Sequence, residues 1–443
     1  MPTRRQLLQQ SAAAASVVAA PAFVRGQNLN SALQLASIGS DGKGFSDIRE
    51  MSSHDKQAYV AFCDIDLERT RNATKLRPGT AVYQDFRDMF AEMGDKIDAV
   101  TVSTPDHMHA YMAIWAMNEG KHVYCQKPLT HNVRECRLVM DKAKESGVIT
   151  RLGNQIHSHK FYRTAVNIVQ SGRIGKVERV ESWVNSTGHG KSGFISRPKV
   201  VHPIPDSIDW EKWIGVAPMR AYHGDRCYAP WGWRDWQDFG NGAVGDFGCH
   251  ILDPVYTALG ITGHATGFQA EHSGMNDEVW PAQTTYSFRV PGTDLTAGEE
   301  LRIRWNDGGR LPSTKGTHLP SNEALPRSGS ILVGEEGTLV IPHVQAPRLY
   351  FPGTGFSDEY EMAEDGNHYH GWIDGCLTGE QPSDGFDYGG LLTETILLGN
   401  IAVRYPGETL EWDAGAMRIT SLEDANRWLT RDYREGWEID DLL

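Results

Sequence analysis

Short apolar runs alternate with amphipathic stretches over residues 32–152, and this alternation limits the fold more than any other feature of the chain. The apolar runs are as long as strands and lie at 33–38, 59–63, 99–102, 122–125 and 148–152. Between them, residues 109–118 and 133–145 have the spacing of amphipathic helices. Strands that alternate with helices predict βαβ units, and therefore a doubly wound parallel sheet over residues 31–152.

The pattern changes after residue 152. Alternating polar and apolar residues predict half-buried strands, which lie at 177–185, 284–290, 301–305, 330–333 and 338–341. We therefore expect residues 153–415 to form an α+β domain with an open, mostly antiparallel sheet and helices on one face, followed by a C-terminal extension at 416–443. Residues 186–240 are rich in Gly, Pro, His and Trp and predict a long loop, where functional residues are common.

The first 26 residues have the features of an export signal. Arg4 and Arg5 precede a short Ala-rich apolar stretch, and Ala20-Pro21-Ala22 has the pattern of a cleavage site. The paired arginines favour the twin-arginine pathway, with an ordinary amphipathic leader as the alternative. Because twin-arginine export carries folded proteins, we expect a periplasmic protein that takes a bound cofactor with it.

The net charge argues against anionic binding partners, and the cysteine spacing argues against a disulfide framework. The formal net charge is −14, and no run of Lys and Arg could follow a phosphate backbone. We therefore expect binding neither to nucleic acid nor to an anionic membrane surface. The six cysteines form no CxxC pair, which favours buried thiols over a disulfide framework.

A glycine-rich turn follows the first predicted strand and opens a helix, as a dinucleotide-binding fingerprint does. Gly39 is expected to make the tight turn and Gly44 to allow close packing of helix and strand, with Gly42 between them. A bound pyrophosphate would lie at the N-terminus of the helix. Asp41 occupies the position of the usual second glycine, and its carboxylate would repel a pyrophosphate unless it turns outward.

Asp64 ends the second predicted strand, twenty residues after Gly44. An acid at this position hydrogen-bonds the adenosine ribose and disfavours a 2′-phosphate, so NAD is expected in preference to NADP. The alternative is that Asp64 caps a helix beginning near Leu67.

Three segments together make the chain resemble the Gfo/Idh/MocA oxidoreductases. They are Ser103-Thr104-Pro105-Asp106-His107-Met108-His109, Cys125-Gln126-Lys127-Pro128-Leu129 and Gly245-Asp246-Phe247-Gly248-Cys249-His250. The resemblance covers residues 33–415, and it implies a Rossmann domain that binds NAD and a second domain that binds a sugar or polyol.

The resemblance also implies roles for individual residues. A Glu-Lys-Pro triplet of the family corresponds to Gln126, Lys127 and Pro128, so the acid has become an amide here. The family's Asp-x-x-x-His element corresponds to Asp246 and His250, and residues four apart on a helix share a face. The implied catalytic residues are thus Lys127, Asp246 and His250. The cofactor contacts taken from the same segments are Thr104, Pro105, His107, His109, Gln126 and Lys127.

The expected reaction is hydride transfer from a sugar or polyol hydroxyl to bound nicotinamide, with His250 as the base. Two other functions remain open. Ser186-Thr187-Gly188-His189-Gly190-Lys191 resembles the histidine loop of NAD-dependent glycosidases in the same superfamily, where transient oxidation leads to elimination and His189 would be the acid/base. The other alternative is a catalytically dead sugar- or nucleotide-binding protein, suggested by Asp41 and Gln126.

Several residues of the second half are candidate substrate contacts. They are Asn154, His157, Trp231, Trp233 and Arg234. The two His-x-His strings, at 157–159 and 368–370, lack Cys or acidic partners at ligand spacing, so no metal site is expected. The open sheet of the family further implies a homo-oligomer.

Overall fold

The computed structural model describes residues 32–443, so the predicted leader lies outside the described residues. Six parallel strands form the first sheet. They are β1 (Leu33–Ile38), β2 (Gln57–Cys63), β3 (Ala81–Tyr83), β4 (Ala99–Val102), β5 (His122–Gln126) and β6 (Thr150–Gly153). Their order is β3-β2-β1-β4-β5-β6, and all neighbouring pairs are parallel. This is the strand order of a Rossmann sheet and confirms the doubly wound prediction.

Both faces of this sheet are covered. The helices of this half are α1 (Lys43–Met51), α2 (Arg71–Leu76), α3 (Phe86–Met93), α4 (Asp106–Asn118) and α5 (Val133–Ser146). Neighbouring residues of β1 show why two layers are needed, because Leu35 and Ala36 are both fully buried and belong to two separate apolar cores. Local signals set the ends of α5, where Asn132 forms a capping box with Glu135 and Gly147 adopts the left-handed conformation.

Nine strands form the second sheet, in the order β14-β13-β12-β11-β7-β10-β9-β8-β15. They are β7 (Val177–Trp183), β8 (Thr266–His272), β9 (Thr284–Pro291), β10 (Glu300–Asn306), β11 (Gly329–Gly334), β12 (Thr338–Pro342), β13 (Arg348–Phe351), β14 (Gly355–Ser357) and β15 (Thr409–Leu410). The β7–β10 pair is parallel and the other pairs are antiparallel. A small ladder of β16 (Trp412–Asp413) and β17 (Arg418–Ile419) follows. The mostly antiparallel sheet agrees with the sequence prediction.

Helices pack against one face of this sheet. The second half contains α6 (Lys160–Gln170), α7 (Trp210–Ile214), α8 (Gly242–Leu259), α9 (His368–Thr378) and α10 (Phe386–Val403). Residues of α6, α8 and α10 share one apolar core with the inward side chains of the strands. β10 shows the alternation that produces this arrangement, since Ile303 and Trp305 are buried while Arg302 and Arg304 are exposed on the other face.

Two C-terminal segments return to the Rossmann half. Trp372 and Ile373 of α9 pack against the β1 and α1 side of the first sheet. Trp437 and Ile439 of the extension pack on the opposite side, in the core that contains α4. Neither contact was predicted, because each segment is distant in sequence from the strands that it covers.

Other sequence predictions also meet the structure here. Within residues 186–240, α7 and a short turn of 3-10 helix are the regular elements, as the composition suggested. All six cysteines are buried and unpaired, as predicted. Across residues 32–443, no helix has the length and apolar character needed to cross a membrane.

Candidate active site

A cleft of about 740 Å³ lies between the carboxyl ends of the Rossmann strands and the start of α8. One end is lined by the glycine turn after β1 and by Asp64. The other end is lined by Lys127, Asp246 and His250. In doubly wound sheets, ligands bind at this edge, where the strand order reverses between β1 and β4. The sequence-predicted cofactor and catalytic residues therefore meet in one cavity.

The glycine turn has the geometry that a dinucleotide requires. Gly39 has φ +88°, and a Cβ there would lie 2.4 Å from the carbonyl oxygen of Ser103. A Cβ on Gly44 would lie 2.2 Å from the Gly39 carbonyl oxygen. Gly42 precedes α1 with φ +57°, and no side chain caps this helix. The helix N-terminus can therefore hold a pyrophosphate, and these residues fit NAD.

The negative charge of Asp41, which would repel such an anion, is paired with a cation. Its carboxylate pairs with the Arg69 guanidinium at 3.1 Å, and both side chains line the cleft. The cation offsets the carboxylate's charge, which accounts for an acid at a position usually held by glycine.

Asp64 lies at the end of β2, where its carboxylate would hydrogen-bond the adenosine ribose of a bound NAD. Its carboxylate accepts hydrogen bonds from the backbone N–H groups of Ser40 (2.9 Å) and Asp66 (3.1 Å). Burial raises the pKa of Asp64 to about 6, and these hydrogen bonds oppose the rise. The helix-cap alternative is wrong, because Asp66 caps the turn that begins at Leu67.

Gln126 is explained by a buried neighbour. Its side-chain amide donates to the carboxylate of Asp47 at 2.8 Å, and Asp47 also accepts a hydrogen bond from Ser103 and pairs with Lys43. Both Asp47 and Gln126 are buried. A glutamate at position 126 would place a second carboxylate against the first, whereas the amide donates to it.

We expect Gln126→Glu to lower the free energy of unfolding by roughly 1–3 kcal/mol at pH 8, because a buried hydrogen bond is replaced by repulsion. The new carboxyl's pKa would be raised in the folded state. The loss should therefore be small near pH 5 and grow as the pH rises. Thermal unfolding at the two pH values measures this, and adding Asp47→Asn should remove the pH dependence. An equal loss at both pH values would contradict the explanation.

Lys127, Asp246 and His250 form the catalytic end of the cleft. The Lys127 ammonium donates to the Asp246 backbone oxygen and lies 3.1 Å from its carboxylate. Lys191 pairs with the same carboxylate, and Arg234 lies 3.4 Å from it. These cations hold the pKa of Asp246 well below its usual range, although burial acts against them. Asp246 is therefore ionised and fixes the lysine beside His250.

His250 is held in one tautomer. Its Nδ1 lies 2.5 Å from the side-chain oxygen of Asn154, whose amide nitrogen donates to the Cys249 carbonyl. Because an amide oxygen only accepts, Nδ1 carries the proton and Nε2 keeps its lone pair. Burial lowers the pKa of His250 well below its ordinary value, and the nearby Lys127 and His343 lower it further. His250 is thus a neutral imidazole that can accept a proton.

Asn154→Asp is expected to move the acidic limb of the pH–rate profile upward by about 1 to 3 pH units, because a carboxylate beside Nδ1 favours the imidazolium. In the parent protein His250 stays neutral well below pH 6.5, so activity should fall only at low pH. The profile of kcat/KM measures the shift. Asn167→Asp on the exposed side of α6 is the matched control and should leave the profile unchanged. An unmoved limb in Asn154→Asp would contradict the tautomer assignment.

The two sequence halves match one family. Residues 33–154 match a model described as an oxidoreductase family with an NAD-binding Rossmann fold, and residues 165–268 match the C-terminal α/β domain of the same family. The chain belongs to the Gfo/Idh/MocA oxidoreductase family. It therefore carries an NAD-binding Rossmann domain of an oxidoreductase, as the resemblance implied.

Curated relatives match over part of their length. An uncharacterized oxidoreductase of Rhizobium meliloti is 33% identical over 135 residues, which are 30% of this chain and 40% of that protein. A glycosyl hydrolase family 109 protein of Shewanella sp. (strain W3-18-1) is 29% identical over 172 residues, or 37% of this chain and 35% of that protein. The matched segments thus span less than half of these two relatives.

Solved structures share the fold over most of the chain. The WlbA dehydrogenase from Bordetella pertussis, in complex with NADH and UDP-GlcNAcA, has a TM-score of 0.60 at 18% identity and covers 86% of this chain and 99% of its own. The aldose-aldose oxidoreductase from Caulobacter crescentus, complexed with glycerol, has a TM-score of 0.59 at 16% identity, with 86% and 100% covered. These likenesses establish the two-domain architecture.

The other predicted substrate and cofactor residues of this Gfo/Idh/MocA chain separate into two groups. Trp231, Trp233 and Arg234 line the cleft, as do Thr104 and Pro105. The Arg234 guanidinium lies 4.4 Å and 4.2 Å from the centres of the two indole rings. This end of the cavity therefore has flat apolar walls beside a cation.

His107 and His109 are buried behind the cleft wall and do not line it. His107 lies 3.1 Å from the Trp213 carbonyl oxygen, and His109 lies 2.8 Å from both the Thr104 and the Pro128 carbonyl oxygens. Neither histidine side chain therefore faces the cleft in which the cofactor is expected. His109 holds the loops that carry Thr104 and Lys127, and His107 ties α4 to the end of α7, so both have supporting roles.

Asn154 and His157, which were expected to contact the substrate, do not line the cleft either. Asn154 is fully buried and reaches the cleft only through His250. His157 lines a separate cavity of about 330 Å³ and pairs with Asp253 at 2.8 Å, which raises its pKa to about 9 against the effect of burial. The Ser383 hydroxyl lies 3.1 Å from its other ring nitrogen. His157 therefore belongs to a polar network beside α8.

His189 is half-buried and does not line the cleft. Its Nδ1 lies 2.8 Å from the Trp280 carbonyl oxygen, so it donates there and leaves Nε2 without a proton. The same glycine-rich loop instead brings Lys191 to Asp246. Sequence reasoning missed Lys191, although it stands two residues from a histidine already singled out.

Asp106 was also missed as a site residue. It is the first residue of α4, it is buried, and it accepts a hydrogen bond from Asn241 at 3.3 Å. Burial raises its pKa to about 7, while Lys127 and Arg234 act to lower it. The catalytic end therefore holds a carboxyl besides Asp246, and the pKa of this second carboxyl lies near neutral pH.

One group of metal-ligating residue types occurs among residues 32–443, formed by His202, His223 and Asp225. His202 Nδ1 accepts the Gly224 backbone N–H, so Nε2 carries the proton in the neutral ring. His202 therefore offers no free lone pair. The predicted absence of a metal site stays a prediction.

Proposed function

We propose that the protein is an NAD-dependent oxidoreductase that oxidises a hydroxyl group of a sugar or polyol. The observation that carries the proposal is the neutral His250, with its Nε2 lone pair free, beside the Lys127–Asp246 pair in a cleft whose other end is a dinucleotide cradle. This is the donor and acceptor set that alcohol oxidation needs.

The chain's residues divide the work at the hydroxyl. Bound NAD supplies the acceptor for the hydride that leaves the substrate carbon. His250 Nε2 removes the hydroxyl proton, and Asn154 keeps the ring in the tautomer that can accept it. Lys127, held by Asp246, donates a hydrogen bond to the substrate oxygen as it gains carbonyl character. Asp246 stays ionised throughout because three cations surround it.

A carbohydrate is supported by the walls of the cleft. Trp231 lines the cleft and is 42% exposed, so its indole ring offers a surface on which an apolar sugar face can stack. Similar folds are seen in a dehydrogenase in complex with UDP-GlcNAcA and in a levoglucosan dehydrogenase in complex with NADH and levoglucosan. These complexes support a sugar-like substrate for this chain.

Mass spectrometry of the product tests the proposal. Purified protein supplied with NAD and a panel of sugars and polyols should give a product two mass units lighter than its substrate, with reduced NAD in equal amount. A panel in which every sugar is recovered unchanged would contradict the proposal.

Asp64 is expected to set the cofactor preference. Asp64→Ala should narrow the preference for NAD over NADP by about tenfold or more, because the ribose loses its acceptor and a 2′-phosphate no longer meets the Asp64 carboxylate. Dissociation constants for both nucleotides, measured by fluorescence quenching, provide the check. Asp88→Ala removes an exposed acid of α3 that does not line the cleft, and as the control it should leave the ratio within threefold. An unchanged ratio in Asp64→Ala would remove Asp64 from cofactor selection.

A redox-neutral glycosidase is the second candidate, favoured by the matches to glycosyl hydrolase family 109 proteins. It requires His189 as the acid/base, and His189 lies outside the cleft lining. Reaction in D₂O distinguishes the two functions. Deuterium beside the oxidised carbon, release of free sugar and no need for an electron acceptor would favour the glycosidase.

We also propose that the protein works in the periplasm. The support is the paired Arg4 and Arg5 of the leader. Cell fractionation of the native host, with an Arg4→Lys and Arg5→Lys variant as control, tests this proposal. Wild-type protein confined to the cytoplasm would contradict it.

A further inference from the structure

The catalytic end of the cleft holds more positive than negative charge. Lys127, Lys191 and Arg234 all lie against the single carboxylate of Asp246. The four side chains are 12%, 15%, 18% and 16% exposed, respectively. Three cations are thus held together largely out of water with one ionised partner.

The other titratable groups that face this cluster do not neutralise its excess positive charge. Asp106 is the second carboxyl nearby, and its pKa of about 7 leaves it partly protonated at neutral pH. His250 and His343 both have lowered pKa values and contribute no negative charge. The cluster therefore carries a net charge between +1 and +2, and holding unpaired charge away from water costs free energy unless a counterion arrives.

Part of the cationic surface is not committed to protein partners. Among residues 32–443, Arg234 uses Nε toward Asp246 and one terminal nitrogen toward the Trp231 carbonyl oxygen, and its other terminal nitrogen makes no hydrogen bond. Arg226, at the Trp231 side of the cleft, also forms no ion pair within the described part of the chain and lies over the Trp231 ring at 5.9 Å. Both arginines line the cleft, so a ligand can reach them.

We infer that the substrate is an acidic carbohydrate, whose carboxylate binds at Arg234 while the hydroxyl to be oxidised faces His250. This inference rests on the proposed function and names its substrate class. A carboxylate supplies the missing counterion, and the uncommitted terminal nitrogen of Arg234 can donate a charge-assisted hydrogen bond to it. The Arg234 guanidinium packs on both the Trp231 and the Trp233 rings, which restricts its movement. A neutral sugar offers these walls the same ring but leaves the charge unpaired.

Matched pairs of ligands test the inference by binding. Glucuronate, galacturonate and mannuronate are each compared with the hexose that differs only at C6, by tryptophan fluorescence titration of the NAD-loaded protein. We expect at least one acid to bind about tenfold or more tightly than its neutral partner, with the difference shrinking as salt is added. Hexoses that bind as well as or better than all three acids, or no binding by any acid, would overturn the inference.

Variants locate the carboxylate. Arg234→Met should weaken the acid by about tenfold or more and its neutral partner by less than threefold. Arg234→Lys should recover only part of the loss, since an ammonium keeps the charge but not the planar group that packs on the indole rings. Arg226→Met, at the mouth of the cleft, is the control for general charge: it should weaken the acid by less than threefold and leave the hexose unchanged. An equal loss for acid and hexose in Arg234→Met would contradict this site. If the acid binds as expected but is not oxidised, the proposed function fails, and only the binding of an acidic carbohydrate at Arg234 is supported.

Discussion

His250→Ala is expected to lower kcat/KM by a factor on the order of 10² to 10⁴, which is the usual worth of a positioned general base. The loss follows because no other described side chain with a free, unprotonated nitrogen lines the cleft. Binding of NAD should be largely retained, because His250 lies at the far end of the cleft from the glycine turn. Steady-state kinetics and nucleotide titration of the same preparation give the two readouts.

A neighbouring histidine provides the control for this experiment. His343 lies beside His250, with 5.8 Å between the ring centres, and its Nδ1 contacts the Tyr162 hydroxyl. Because His343 does not line the cleft, His343→Gln should change kcat/KM by less than threefold. Near-normal turnover in His250→Ala would remove His250 from the reaction.

Lys127→Ala is expected to reduce kcat by a similar factor, on the order of 10² to 10⁴. The variant loses the ammonium that polarises the substrate oxygen, while Asp246 keeps Lys191 and Arg234 as partners and the fold is preserved. The effect should fall mainly on kcat, because the interaction strengthens as the carbonyl forms.

The residual activity of Lys127→Ala carries a second signature. Lys127 lowers the pKa of His250, so its removal should raise that pKa. The acidic limb of the pH–rate profile should then move to higher pH, and activity should be lost earlier on acidification. Lys212→Met, which removes a different cleft lysine paired with Asp85 and Asp209, should leave both kcat and the limb unchanged. An unchanged pH–rate profile in Lys127→Ala would contradict the claim that Lys127 lowers the pKa of His250.

The sequence predicted the parts of the fold and site that depend on local pattern. The Rossmann strands were found because apolar runs alternate with helices, and β1 and β4 were predicted at the observed residues. Strand β3 was missed because only three residues pair there and none is fully buried. Asp246 and His250 were placed correctly on one helix because a spacing of four residues has a simple geometric meaning.

What the sequence could not predict depends on contacts between distant segments. The neutral amide at position 126, in place of an acid, is explained by Asp47, which lies seventy-nine positions earlier. The role of Asn154 required knowledge of the ring nitrogen that it faces across ninety-six positions. His107 and His109 stand in the motif that resembles the family, yet burial directs them to backbone carbonyls instead of the cleft. The motif indicated that these residues lie near the cofactor cleft, but it did not show which way their side chains point.

The most direct test of net hydride transfer is the absorbance at 340 nm when NAD-loaded protein is mixed with an oxidisable sugar in a single turnover. The account predicts a rise that approaches one equivalent of reduced nicotinamide per bound NAD. The rise should be slower when the substrate carries deuterium at the oxidised carbon and should be absent in His250→Ala over the same interval. Protein with bound NAD that converts the sugar without any rise at 340 nm, at a rate insensitive to that deuterium, would contradict it.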